Sequence, residues 1–270
     1  GYSDPESAIR GIESFSLPIM IKPIDLSGGK GIVKVFNAEE AKEAILHAFS
    51  ISKSKRIVLE EFVKGTNHGF SALIKNGKVV FHFSDNEHYY LNKYMVSAAS
   101  TPTLVPDTAI SALVGYCEKI VALLKLSDGI FHVQFILKGS EPIIIEICRR
   151  PPGDLYVDLV TLATGVDYPS LIVEFATGMS PAIPPKENRG FITRHCILSD
   201  RNGVLDEIVF SQLILDRIID RMEWWKRGDI VDDYLTQKFG IIFAQFDSMS
   251  DMQEFTSNAD SIICVKLAND

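Results

Sequence analysis

The sequence predicts an α+β fold, and three observations carry that expectation. Asn76-Gly77 separates the strand-like runs 70–75 and 78–84, and this pair suits the left-handed geometry of a two-residue hairpin turn. Gly139 to Glu141 separates a second pair of runs, 130–138 and 142–148. Strands joined this tightly pair antiparallel. Between the hairpins, Ile110, Leu113, Val114, Cys117, Ile120, Val121 and Leu124 recur at helical spacing, the clearest amphipathic stripe in the chain.

The remaining elements follow in order. Residues 4–14 read as a short helix capped by Asp4, with Pro5 in its first turn. Strands are expected at 17–24 and 31–36. Asn37 then caps a helix with Glu40 in capping-box spacing, and Ala41, Ala44, Ile45, Ala48 and Phe49 form its apolar stripe. A strand rich in β-branched residues at its start spans 56–63. Residues 85–106 lack clear periodicity and are expected to form a long functional or mobile loop. Residues 154–164 and 169–177 look helical. Pro181, Pro184 and Pro185 break the chain and mark a domain boundary. Beyond it, 186–270 is expected to be a β-rich appendage with helices near 211–221 and 250–257. Trp224 and Trp225 are expected to alternate across a short strand.

Composition narrows the function. The 270 residues suffice for one large domain or two modest ones. Hydrophobic residues make up 46% and charged residues 23%, ordinary for a soluble globular protein. No apolar run is long enough for a membrane span, so no membrane partner is expected. No signal-peptide pattern opens the sequence. Four cysteines, at 117, 148, 196 and 264, are widely spaced and form no metal pattern, so reduced thiols and a cytoplasmic location are expected. The net charge of −8 argues against nucleic-acid binding and leaves room for a small anionic ligand in a local basic pocket. The six histidines show no zinc-like spacing. His82, His88 and His132 are therefore expected to be ordinary polar residues.

The stretch "IMIKPIDLSGGKGIVKVF", residues 19–36, raises the chemical question. It is not a Walker A loop, because no serine or threonine follows Lys30, and not a dinucleotide fingerprint, because a strand follows. Two readings remain. One is a plain hairpin loop using glycine for positive φ. The other is a flexible flap, Ser27, Gly28, Gly29, Lys30 and Gly31, whose backbone N–H groups bend over phosphate oxygens, with Lys22 aiming its ammonium at the same phosphates.

The second hairpin adds two candidates. A three-residue turn pairs 138 with 142, and that register sets Gln134 opposite Glu146 and His132 opposite Cys148. Glu146 interrupts the apolar run "PIIIEIC", and a lone buried carboxylate is costly unless paired or bound to a metal. Either it pairs with Arg149 or Arg150, or it joins Gln134 as an oxygen ligand for magnesium. The segment "VLEEFVKG", 58–65, is either a solvated strand end or an exposed backbone edge, Glu60 to Val63, able to hydrogen-bond an adenine.

In this order, "LPIMIKP", "SGGKGI", "VLEEFVKG", "FHVQF", "IIIEICRRPPGD" and "LATGVDYPSLIVEFATG" resemble the ATP-grasp superfamily, especially its carboxylate–amine ligases and carbamoyl-phosphate-synthetase-like members. The resemblance runs from about residue 4 to 180. It implies two lobes of antiparallel sheet plus helices, a small lobe at about 1–62 and a large lobe at about 63–185. ATP and Mg2+ would bind between the lobes. The resemblance assigns Lys22, Ser27, Gly28, Gly29, Lys30, Gly31, Glu60, Glu61, Phe62, Val63 and His68 to the nucleotide. It assigns Gln134 and Glu146 to the metal, and Arg150 to the reacting carboxylate or acyl phosphate. The implied substrates are a small carboxylic acid and an amine, and a homodimer is possible for the family.

Departures from the pattern are also visible. Gln134 stands where the family usually has glutamate. Cys148 stands where it has a metal-binding asparagine, and a thiol is a poor ligand for a hard cation. Thr66-Asn67-His68 occupies the place of the expected ribose-binding acid. The resemblance further implies an upstream domain, so this chain is expected to be a fragment that does not ligate by itself. A degenerate nucleotide-binding or regulatory module without ligase activity is the alternative.

Overall fold

The computed structural model describes residues 1–268, without the side chain of Asp260. The chain forms two compact units, residues 1–64 with 92–96, and residues 65–91 with 97–270.

The first unit contains α1 (Pro5–Gly11), β1 (Ile19–Pro23), β2 (Val33–Val35), α2 (Ala38–Ile51) and β3 (Ile57–Glu61). Asp4 caps α1 by accepting from Ser7 N–H, and Asn37 caps α2 by accepting from Glu40 N–H. Glu40 reaches back to the N–H of Phe36 and the Asn37 amide, which satisfies donors that the helix itself leaves unpaired. The three strands run antiparallel in the order β2-β1-β3. Ile19, Ile21, Val35, Ile57 and Leu59 face the helices and share a core with Ala41, Ile45 and Phe49. The alternating residues Met20, Lys22, Lys34, Val58 and Glu60 therefore lie on the opposite sheet face.

The second unit continues with β4 (Thr66–Lys75), β5 (Lys78–Tyr89), β6 (Val96–Thr101), α3 (Asp107–Leu124), β7 (Gly129–Lys138), β8 (Glu141–Cys148), α4 (Tyr156–Thr164) and α5 (Tyr168–Ala176). It closes with β9 (Phe191–Leu198), β10 (Gly203–Phe210), α6 (Gln212–Leu215), β11 (Ile218–Glu223), β12 (Ile230–Val231), β13 (Lys238–Phe246), α7 (Met249–Ile262) and β14 (Ile263–Leu267). An eight-stranded sheet runs β11-β13-β9-β6-β5-β4-β7-β8, and a three-stranded sheet runs β12-β10-β14. One face of the large sheet buries Leu73, Phe81, Phe83 and Phe243 against Tyr156, Leu159 and Tyr168 of α4 and α5. The other face packs Phe70, Phe131 and Phe135 on Leu113 and Cys117 of α3, and Ile197 and Ile242 on Met252 and Phe255 of α7. Among the described residues, no single helix is long and apolar enough to cross a membrane.

Several expectations need correction. The stretch 186–270 is not a separate appendage. β9 pairs with both β6 and β13, and Ile192, Cys196, Ile241 and Phe243 belong to the core built by α4 and α5. The three prolines therefore sit in a connection inside one unit. Half of residues 85–106 is strand: β5 runs on to Tyr89, and β6 spans Val96–Thr101. The helix expected at 211–221 is one turn, α6, followed by β11. Trp224 and Trp225 lie beyond the end of β11; Trp224 is exposed and Trp225 packs partly on the core.

Candidate functional site

In the first unit, Lys22 and Glu60 rise from the sheet face opposite the helices and form an ion pair across β1 and β3. Both are partly exposed, so the pair contributes little to stability and leaves the ammonium accessible. β3 is the edge of its sheet. Glu61, Phe62 and Val63 continue that edge, with the Phe62 N–H donated to the Pro18 carbonyl. The Lys34 ammonium lies 3.3 Å from the Phe62 ring centroid, a cation–π contact.

The glycine stretch is a broad loop rather than a tight turn, because Ile21 pairs with Val33 and every residue between is loop or strand end. Gly28, Gly29 and Gly31 all have positive φ. A methyl group at Gly29 would lie 2.6 Å from Tyr94 Cβ, whereas one at Gly28 would meet nothing within 4 Å. The Asn92 amide donates to the Gly28 carbonyl. Segment 92–96 thus folds back onto the loop, a support that the sequence did not reveal.

In the second unit, one row crosses four strands: Asp85 opposite Gly69, Gly69 opposite Gln134, and Gln134 opposite Glu146. Residues directly opposite in a ladder share a face, so Asp85, Gln134 and Glu146 do so. Glu87, two residues beyond Asp85, shares it too, and its Oε1 accepts from Gln134 Nε2 at 2.8 Å. Gly69 leaves room for the Asp85 carboxylate, since a methyl group there would come within 2.5 Å of it. The expected pairing of Gln134 with Glu146 and of His132 with Cys148 is present, but by another route. The turn is one residue shorter than expected, pairing Lys138 with Glu141, and a bulge at Ile145 restores the register.

The acids on this face are buried and repel one another. Burial pushes the Glu87 carboxyl above its ordinary range, and repulsion from Glu146 adds to the shift. Burial, with repulsion from Glu87, pushes Asp85 up to about 7. Asp85 Oδ1 accepts from the Tyr156 hydroxyl at 2.6 Å, while Oδ2 has no partner. The Tyr89 hydroxyl donates to Glu87 Oε2. The buried Arg194 guanidinium favours the ionised form of both acids and is itself held by the Asp154 carbonyl and carboxylate.

Magnesium fits this donor set. Glu87, Glu146 and the Gln134 amide carbonyl supply hard oxygens. Among the described residues no cluster of three His, Cys, Asp or Glu side chains could hold a metal alone, and magnesium characteristically completes its shell with phosphates and water.

Three expectations about the site change. Glu146 is exposed rather than buried, and it pairs with neither arginine: Arg149 donates to the carbonyls of Ser127 and Asp128, and Arg150 to that of Pro151. Glu87 joins Glu146 on this face as a second carboxylate. His68, which the resemblance assigns to the nucleotide, is buried: its ring stacks on Phe135, on the face that packs α3, and bonds to Thr66. It is a buried core histidine.

Residues 15–157 match the family model described as an ATP-grasp domain. The chain belongs to the ATP-grasp family. Carnosine synthase 1 from Homo sapiens is 27% identical over 78% of this chain and 27% of its own length. The carbamoyl phosphate synthase large chain from Thermoanaerobacter sp. is 26% identical over 60% of this chain and 15% of its own. The chain therefore spans about a quarter or less of these relatives. Among solved structures, an L-amino acid ligase from Bacillus licheniformis has the same fold, with a TM-score of 0.76 at 18% identity over 97% of this chain and 66% of that one. Glu87 is the main residue of this sheet face that sequence reasoning missed. Period-two alternation from Asp85 through Glu87 to Tyr89, beside a mid-strand glycine, was the available signal.

Proposed function

We propose that this chain is the ATP-binding part of an ADP-forming carboxylate–amine ligase. The observation that carries the proposal is the Glu87, Gln134 and Glu146 set on one sheet face, with two carboxylates repelling each other across an amide. Such a face is stabilised by a divalent cation and the phosphates it carries. Glu87, Gln134 and Glu146 would hold magnesium there, and the ion would supply charge neutralisation for the phosphates. In the first unit, Lys22 and the glycine loop offer a positive charge and backbone N–H groups suited to phosphate oxygens. The exposed Arg150 guanidinium suits a carboxylate or acyl phosphate through paired hydrogen bonds.

The reaction that fits is phosphoryl transfer from ATP to a carboxylate, giving an acyl phosphate and ADP. An amine then attacks the acyl carbon, an amide forms and phosphate leaves. The protein contributes placement and charge, not a covalent nucleophile.

Cys148 favours a second reading. It lies two residues from Glu146 on the same strand face, and its thiol is a weak donor for a hard cation. On that reading the site binds nucleotide without ligation. ADP formation by the full-length protein separates the two. The ligase reading predicts ADP only when a carboxylic acid and an amine are both present. Nucleotide binding without ADP from any amino-acid pair would favour the second.

A further inference from the structure

The eight-stranded sheet ends in β11 on one side and in β8 on the other. A bare edge offers unpaired N–H and C=O groups to any other strand, and proteins usually blunt it. β8 is blunted by Pro142 and by its mid-strand bulge at Ile145. β11 is less guarded: its bulge falls at Ile219, near its start, and Asp220 to Glu223 run in unbroken register with β13. The Trp224 N–H donates to the Phe239 carbonyl. Hydrogen-bonded and non-bonded pairs alternate along an antiparallel ladder. Met222 therefore also bonds β13, and Arg221 and Glu223 direct their backbone N–H and C=O groups away from the sheet. Met222 is 53% exposed, although it lies opposite Ile241 and so on the face that α4 and α5 cover.

We propose that β11 pairs antiparallel with β11 of a second copy of this chain, centred on Met222, so that two sheets join into one. Symmetry selects the centre. A two-fold axis perpendicular to the sheet keeps both copies of a residue on one face, and residues directly opposite share a face. One residue must then meet its own copy. At Asp220, Arg221 or Glu223 that would set like charges against each other, which is destabilising. Met222 is the uncharged residue of the regular stretch. Centring there sets Arg221 opposite Glu223 of the second copy, and Glu223 opposite its Arg221. These are the residues with outward backbone groups, so the same positions complete the ladder. Within one chain Arg221 and Glu223 form an ion pair 3.4 Å apart, and the second copy extends it into a square of alternating charge. The facing Met222 side chains bury apolar surface that one copy leaves in water. The proposal does not rest on the ligase reading.

Sedimentation velocity over a dilution series tests it, with thermal melting to confirm that each variant folds. The expected result is a monomer–dimer equilibrium. Met222→Asp, at an exposed position, sets like charges at the centre and should weaken association about tenfold or more. Arg221→Glu and Glu223→Arg each set like charges across the pair and should each weaken self-association by about the same factor. An equal mixture of those two variants should recover the dimer, because each then meets opposite charges on the other. Repulsion within each chain persists in the mixture, so recovery reports contact between copies. A monomer at about 100 µM, a dimer that none of the three substitutions weakens, or a mixture that stays monomeric would overturn the proposal.

Discussion

Asp85 is fully enclosed, with one carboxylate oxygen on the Tyr156 hydroxyl and the other unpartnered. Its folded pKa, about 7, lies above the unfolded value. The folded state therefore holds the proton more tightly. The stabilisation this gives is full at pH below the unfolded pKa and is lost as pH rises through about 7. Asp85→Asn removes that dependence. The thermal midpoint of the parent should fall relative to the variant between about pH 5 and pH 8; parallel curves would show that Asp85 ionises freely. Residue roles were unevenly legible in the sequence. The pairing of Gln134 with Glu146 could be found because strand alternation is a strict rule. Glu87 was harder to find, because its alternation lies in "SDNEHYY", which has poor strand propensity and is held extended by its neighbours β4 and β6. The burial of His68 on the α3 face was not legible, because position along a motif does not say which face a side chain takes.

The glycine loop makes a sharper prediction than mobility alone. Gly28 and Gly29 both have φ near +70°, yet only Gly29 is crowded, by Tyr94. Gly28→Ala should cost about 1–2 kcal/mol or less, the left-handed penalty alone. Gly29→Ala must also displace segment 92–96 and should destabilise the first unit more and weaken nucleotide binding more. Chemical denaturation of both variants measures this, and equal costs would contradict the packing of Tyr94. The loop's internal hydrogen bonds are long, 3.4 Å for Lys30 N–H to Ser27 and 3.3 Å for Ile32 N–H to Gly29. Amides 27–31 should therefore exchange fast without nucleotide and slow when an ATP analogue is added. Strong protection before nucleotide is added would restore the plain hairpin. The second hairpin shows how an element can be read correctly through a compensating error: the turn is one residue shorter than expected and the bulge at Ile145 takes up the difference. Turn length and bulge position depend on local backbone energies that alternation does not report.

At the scale of the molecule, helices and hairpins were legible and the division of the chain was not. Prolines 181, 184 and 185 mark a connection, but proline alone cannot tell a linker from a crossing within one sheet. The pairing of β9 with β6 is a long-range contact with no local signal. A protein ending at residue 185 would expose the outer edge of β6 and uncover the α4 and α5 face now buried by Ile192, Cys196, Ile241 and Phe243. Such a truncation should be insoluble or melt without cooperativity, as light scattering and calorimetry would reveal; a soluble, cooperative 1–185 would restore the appendage. The central claim is that Glu87, Gln134 and Glu146 form one metal-dependent nucleotide site. Calorimetric titration of magnesium–ADP into the parent, Glu87→Gln and Glu146→Gln proteins tests it most directly. The account predicts at least a tenfold loss of affinity in each variant, about 1.4 kcal/mol, and the same loss in the parent when magnesium is withheld. Equal affinity in all three proteins would contradict it.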